Sequence, residues 1–479
     1  MTIKPEYAQQ EPSDGPRFGL LQSVLLLVVL MAVYLQTHAG ASWLLVASGL
    51  AMALLAATVM VGGNRIARIS IVVGLVLAVG ALFRMPAPGG VFLEGIGRAQ
   101  LFCSFFTAIL MLREPAFRSG LLRRVGTFLV NQGERRRFVY LLSGSHVFGL
   151  MMHMGAVVLL GSMAAMPQEN AGTRMEVAAD RSQAAVAVIR GFAATTLWSP
   201  LSLTPVVVAS LVPGVEVRDL LWTGLFWALV SMALAVVVHL VGALWRGRGA
   251  ADGTNEAVSH PVPWAAVWGL VALVLSVFLL ISLGLRMTGT AVPAVVALVI
   301  PLFTLGWILA QDRFNLGRSL TGAISNLARR TIPSQTSEIT VLMVAGFIGP
   351  FIVALVPTSD TLAWLGVHHV GPQAIALTCF LLVVGTGIVG ISPIISIVVI
   401  LGVISDPTAL GIDPETLAMV FIVAWSLTAQ SSPFTASSML TSRMFEVTAA
   451  TLVFRWNGAF CFMLAVMYMA GIVGGMGGF

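Results

Sequence analysis

The chain has 479 residues, 58% of them hydrophobic and only 10% charged, with a net charge of +6 and a mean hydropathy of +0.95. A soluble domain carries roughly a quarter charged residues, so this composition excludes an ordinary soluble enzyme, a disordered protein and a secreted disulfide scaffold. Apolar runs of about twenty residues also exclude a β-barrel, whose strands alternate over about ten positions, and leave an all-α polytopic membrane protein.

Met1 to Phe18 are polar and lack the basic start and cleavage site of a secretory signal, so the first helix is expected to remain. Apolar runs then predict helices at about 20–37, 42–62, 68–84 and 96–112. Residues 113–137 differ. Arginines at 113, 118, 123, 124, 135, 136 and 137 interleave with Phe117, Leu121, Leu122, Phe128, Leu129 and Val130, the pattern of an amphipathic helix lying in the membrane surface; a plain basic loop is the alternative. Further crossings are predicted at about 138–163, 219–245, 264–285, 290–310, 337–357, 415–440 and 451–475, about 11 in all. Arginines at the ends of apolar runs follow the positive-inside rule rather than a nucleic-acid signal. The expected location is a bacterial inner membrane, with a cytoplasmic N-terminus. Cys103, Cys379 and Cys461 lie in apolar stretches without a C-x-x-C pattern and read as small buried hydrophobes.

Two apolar stretches, about 181–212 and 371–404, are broken or re-entrant. The first contains Thr195-Thr196-Leu197-Trp198-Ser199-Pro200-Leu201-Ser202-Leu203-Thr204-Pro205, the second Gly385-Thr386-Gly387-Ile388-Val389-Gly390-Ile391-Ser392-Pro393-Ile394-Ile395-Ser396. Proline deletes a backbone donor and glycine removes stiffness. In hydrocarbon the freed peptide groups are tolerated only against protein or a water-filled cavity. Four landmarks recur at nearly one spacing: Phe117 and Phe314, Phe148 and Phe347, Ser199 and Ser392, Gly214 and Gly411, at offsets from 193 to 199. They divide the chain into N-terminal helices (1–112), a first repeat (113–285) and a second repeat (286–479). Interrupted hydrophobic segments in two halves are the best sequence pointer to a transporter site.

A third break, Ala429-Gln430-Ser431-Ser432-Pro433-Phe434-Thr435-Ala436-Ser437-Ser438, puts a carboxamide and five hydroxyls beside a proline. Helix-to-helix hydrogen bonding explains one or two of them; the set suits an oxyanion, with Na+ at freed carbonyls. The expected substrate contacts are Arg190, Thr195, Thr196, Ser199, Ser202 and Thr204, then Ser392 and Ser396, then Gln430, Ser431, Ser432 and Thr435. The expected Na+ contacts are Thr386, Gly390, Ser437 and Ser438. Arg190 reads either as the anion's countercharge or as an arginine snorkelling at the membrane edge. His146 and His153 share a helix face and read as packed histidines, with a proton relay as the alternative. Glu338, Asp360, Glu446 and His239 sit near run ends and read as interfacial.

No acidic residue lies in the broken elements or between Ala418 and Arg443, which argues against a Na+/H+ antiporter built on a buried carboxylate. No Walker A motif, metal-ligand cluster or Gly-x-Ser-x-Gly elbow occurs. No cofactor is expected beyond Na+ as coupling ion, and no enzymatic activity.

The arm helices, the paired broken elements, Gly411-Ile412-Asp413-Pro414-Glu415-Thr416-Leu417 and the Ser431-Ser432-Pro433 break together resemble the ion-transporter superfamily of secondary carriers. That group includes divalent-anion/sodium symporters, membrane subunits of tripartite transporters and arsenite-type permeases, and the resemblance covers roughly 113–479. It implies an elevator-type carrier, often a homodimer, with inverted repeats and re-entrant hairpins whose polar tips hold an anion and sometimes Na+. The Ser-Asn-Thr tips of the divalent-anion branch are replaced here by Ser199-Pro200 and Ser392-Pro393. If 181–212 and 371–404 are re-entrant, four crossings separate the arms and the repeats run parallel; inverted repeats need an odd number. The leading expectation is secondary transport of a small, carboxylate-like organic anion driven by Na+ or H+. The second is a carrier or flippase for a lipid-linked or amphipathic headgroup. Membrane lipids are the remaining partner; nucleic acid is not one.

Overall fold

A computed structural model describes residues 18–166, 174–247, 261–311, 316–355, 370–404 and 406–475, and among them every regular element is helical. The N-terminal segment 1–17, Phe314 and Asp360 lie outside the described residues. Uninterrupted apolar sequence forms α1 (Gly19–Ala39), α2 (Trp43–Gly62) and α3 (Arg65–Arg84). Asn64 starts α3 by accepting from the Ala67 N–H at 2.9 Å, which satisfies one of the orphan donors of a helix N-terminus. By length and composition nine described helices can cross a membrane, and the protein is an integral membrane protein.

The basic segment 113–137 is not one helix. Arg113 and Arg118 complete α4 (Gly89–Arg118). Ser119 then caps α5 (Gly120–Val130) by accepting from Leu122 N–H at 3.4 Å. This short helix is amphipathic as expected: Leu122, Val125, Phe128 and Leu129 are buried, whereas Arg123 and Arg124 are exposed.

The expected straight crossing at 138–163 is instead a hairpin. α6 (Glu134–Met152) and α7 (Met154–Ala165) meet at His153, whose φ is +49°. The chain reverses there: Arg137 near the start of α6 donates to the Ala164 carbonyl near the end of α7 at 2.9 Å. Arg137 also pairs with Asp180.

The stretch 181–212 is a helix broken in the middle, α8 (Arg174–Thr195) followed by α9 (Leu203–Leu211). The chain continues through α10 (Val217–Gly247), α11 (Trp264–Thr288), α12 (Val292–Gln311), α13 (Leu316–Asn326) and α14 (Thr336–Leu355). The stretch 371–404 is a second hairpin, α15 (Pro372–Ile388) and α16 (Pro393–Val403). Thr386 and Ser396 face each other across it at 2.7 Å between hydroxyls. Gly390 makes its turn at φ +97°, a conformation side chains disfavour. The run 415–440 is again a broken helix, α17 (Pro414–Ser431) and α18 (Ala436–Met444). A π-helical turn, Thr451–Trp456, leads into α19 (Gly458–Gly474).

The chain forms two compact units, each made of two segments: Met1–Pro115 with Pro293–Phe351, and Ala116–Val292 with Ile352–Phe479. The first unit is laced by side-chain bonds among α1, α2 and α4: Gln22 to Thr58 at 3.2 Å, Ser48 to Gln100 at 2.6 Å and Gln100 to Gln36 at 2.7 Å. Glu114, though buried, accepts from Asn326 at 2.5 Å. Phe92 packs on Phe351 with ring centroids 4.8 Å apart. The second unit contains both hairpins and both broken helices.

Candidate binding site at two helix breaks

The second unit is organised around α8 and α17. Ser426 of α17 donates to the Ala193 carbonyl of α8 at 2.8 Å. Arg190, one turn earlier in α8, is bridged by Asn457 to Gln430, one turn later in α17. Rising numbers in one helix match falling numbers in the other, so the two run antiparallel. With a rise of 1.5 Å per residue, their ends at Thr195 and Ser431 stand about 10 Å apart along the common axis.

At the first break the hydroxyls divide into satisfied and open groups. Thr195 Oγ1 donates to the His146 carbonyl at 3.0 Å and lies 3.3 Å from His146 Nδ1. Thr196 donates to Ala193 O at 2.7 Å. Ser199 Oγ accepts from Leu201 N–H at 3.2 Å. Ser202 and Thr204, at the start of α9, are 2% exposed. The Ser202 hydroxyl precedes α9 without capping it and has no hydrogen-bond partner among the described residues. Trp198 covers this break: its indole N–H donates to His146 Nε2 at 3.3 Å, and its ring stacks on Phe278 of α11 at 6.0 Å.

At the break between α17 and α18 most hydroxyls are tied down. Thr435 Oγ1 lies 3.1 Å from the carbonyls of both Ala429 and Ser432 and 3.0 Å from Ser438 Oγ. Ser437 also donates to Ala429 O. Ser432 Oγ accepts from Phe434 N–H at 3.2 Å. Two groups remain open: Gln430 Oε1 and Ser431 Oγ are buried and lack a partner among the described residues.

The second hairpin packs onto this break. A side chain at Gly390 would meet the Phe434 ring at 3.2 Å. Thr386 and Ser396 bond each other, and Ser392 sits half-buried at the start of α16 without capping it. Thus the structure places residues 386–396 beside residues 430–438.

Arg190 does not snorkel. It is 6% exposed, its guanidinium carbon lies 4.1 Å from the Phe460 ring centroid, and its Nε donates to Asn457 Oδ1 at 2.8 Å. It forms no ion pair among the described residues. Asn457, fully buried, escaped sequence reasoning. One polar letter inside an apolar run gives no periodic signal, and only the π-helical turn before it marks the position. Of the residues read as interfacial, Glu446 is exposed and pairs with Arg181 at 3.3 Å. His239 stacks on Phe138 with centroids 4.1 Å apart. Among the described residues no cluster of His, Cys, Asp and Glu is arranged to hold a metal ion.

No family model matches the chain, and no curated protein matches it. Among solved structures it is similar to the YdaH transporter of Alcanivorax borkumensis, at 17% identity and a TM-score of 0.57. The match covers 83% of this chain and 90% of that one. At that identity the likeness is one of fold: the chain has the fold of a membrane transporter.

Proposed function

We propose that the protein is a secondary active transporter of a small, carboxylate-like organic anion, coupled to a Na+ or H+ gradient. The observation that carries this reading is the set of buried, unpartnered polar atoms at the two breaks: Ser202 Oγ, Gln430 Oε1 and Ser431 Oγ. A buried hydroxyl or carboxamide oxygen without a partner costs about 1–3 kcal/mol, so such groups persist where a ligand completes them. Ser202 stands at the N-terminal end of α9, where the helix dipole favours an anion.

The architecture supports alternating access of the elevator type, with the unit that holds both hairpins and both breaks as the moving one. It also supports two repeats, at a larger spacing than the sequence landmarks gave. Pro115 and Pro350 lie inside α4 and α14 at an offset of 235; the hairpin turns at His153 and Gly390 differ by 237, and Pro200 and Pro433 in the two breaks by 233. α9 and α18 each have nine residues. On this pairing Ser199 matches Ser432 rather than Ser392. With the hairpins as re-entrant and the broken helices as crossings, α8–α9, α10, α11, α12 and α14 separate the hairpins. Five crossings is the odd number that inverted repeats require, in keeping with the ion-transporter superfamily layout.

The test is uptake of radiolabelled succinate, citrate, glutamate and benzoate into proteoliposomes, under an inward Na+ gradient, an inward proton gradient, or neither. Gradient-dependent uptake of an anion supports the reading. Failure of all four anions, together with protein-dependent transbilayer movement of a fluorescent phospholipid, would favour a flippase instead.

A further inference from the structure

A helix that ends inside the membrane leaves its last carbonyls and the negative end of its dipole unpaired. In carriers built on broken helices, a coupling cation commonly occupies that position. At the end of α17 three of the last four carbonyls are bonded by groups of the protein. The Thr428 carbonyl accepts from the Ser432 N–H at 3.1 Å. The Ala429 carbonyl accepts from Thr435 and Ser437. The Gln430 carbonyl accepts from Asn457 Nδ2 at 2.9 Å. Behind Asn457 stands a fixed positive charge, because its Oδ1 accepts from Arg190 at 2.8 Å.

We infer that Arg190, acting through Asn457, is the resident cation of the α17 break, so that no Na+ binds at this helix end. The asparagine is a positioning residue. An amide whose oxygen is held by a guanidinium is a stronger donor through its nitrogen, since hydrogen bonds in a chain polarise one another. That donor satisfies the Gln430 carbonyl and leaves Gln430 Oε1 and Ser431 Oγ as the buried groups without a partner among the described residues. Cys461, one turn along α19, lies 3.2 Å from Asn457 Nδ2 and lines the same junction. Stacking against Phe460 keeps the guanidinium in place without a carboxylate. The Na+ contacts expected at Ser437 and Ser438 are, on this view, hydroxyls that close the break by themselves. The inference takes the break as the substrate site proposed above, but its readout needs no substrate.

The experiment is thermal unfolding of the purified full-length protein in NaCl and in choline chloride of equal ionic strength. The wild type should unfold at the same temperature in both salts. Arg190→Gln leaves the helix end without its cation and should unfold earlier in choline, with Na+ restoring part of the loss in a saturable way. Asn457→Leu frees the Gln430 carbonyl but keeps the buried guanidinium, which repels Na+, so it should unfold earlier in both salts without rescue by Na+; the double variant should lose less than the sum of the two single losses, because the residues share one interaction. Arg190→Lys keeps the charge and should remain insensitive to Na+, a rescue that loss of packing alone would not give. A saturable Na+ stabilisation of the wild type that Ser437→Ala abolishes would place Na+ at this break and overturn the inference. So would an Arg190→Gln protein that is equally stable in both salts. Absence of anion uptake in the proteoliposome assay would count against the proposed function and leave these outcomes as they stand.

Discussion

Replacing Ser202 with alanine should stabilise the protein and weaken anion binding at the same time. The Ser202 hydroxyl is 2% exposed and unpartnered among the described residues. A buried unpaired polar group costs about 1–3 kcal/mol, and removing one oxygen opens only a small void, so Ser202→Ala should gain on the order of 1 kcal/mol without ligand. Thr435→Val is the contrast. Its hydroxyl lies 3.1 Å from two carbonyls that the break has freed, and losing it should cost about 1–2 kcal/mol. The variants should therefore shift the unfolding midpoint in opposite directions, measured at one scan rate because membrane proteins unfold irreversibly. For the anion taken up in proteoliposomes, Ser202→Ala should raise the apparent KM roughly tenfold or more, since a charge-assisted hydrogen bond is worth about 1.5–3 kcal/mol. Destabilisation of Ser202→Ala to the same degree as Thr435→Val would mean that the hydroxyl is already satisfied and is not left open for an anion.

Asp180→Asn should destabilise the first hairpin by about 2–4 kcal/mol, because it leaves the buried Arg137 charge unpaired; the check is the unfolding midpoint together with protease cleavage near 134–165. Gly191→Ala should prevent a stable fold, since its methyl would collide with the Leu142 backbone carbonyl, and expression as an aggregate would report it. Gly390→Ala should cost about 1–2 kcal/mol from left-handed strain alone and slow transport more than it lowers the unfolding midpoint. Ser431→Ala should weaken anion uptake, whereas Ser438→Ala, at a hydroxyl already bonded to Thr435, should change stability more than uptake.

Long apolar runs announce helices, and α1, α2, α11 and α12 lie where hydropathy alone puts them. Pro200 and Pro433 announce the two helix breaks because proline leaves a mark that composition cannot hide. The first hairpin left no such mark. Its turn uses Met152-His153-Met154, with neither proline nor a polar cluster, so the run from 138 to 163 reads as continuous. Ser392 and Ser199 carry the same Ser-Pro letters, yet one stands at a hairpin and the other at a helix break. The serines of the third break were legible as a group but not by role. Which hydroxyls close freed carbonyls and which stay open depends on where the chain turns after Pro433. Arg190 stood out as a charge in an apolar run, while its partner Asn457 is 267 residues away in sequence and visible only once α8 and α17 lie side by side.

On the proposed function, the anion binds within the second unit, at the breaks of α8 and α17. The most direct test is a cryo-electron microscopy structure with the transported anion bound. Anion density is expected in contact with at least one of Ser202, Gln430 and Ser431. Anion density only in the hollow of about 250 Å³ in the first unit, lined by Gln22, Val59, Gly63, Thr336 and Ser337, would contradict it.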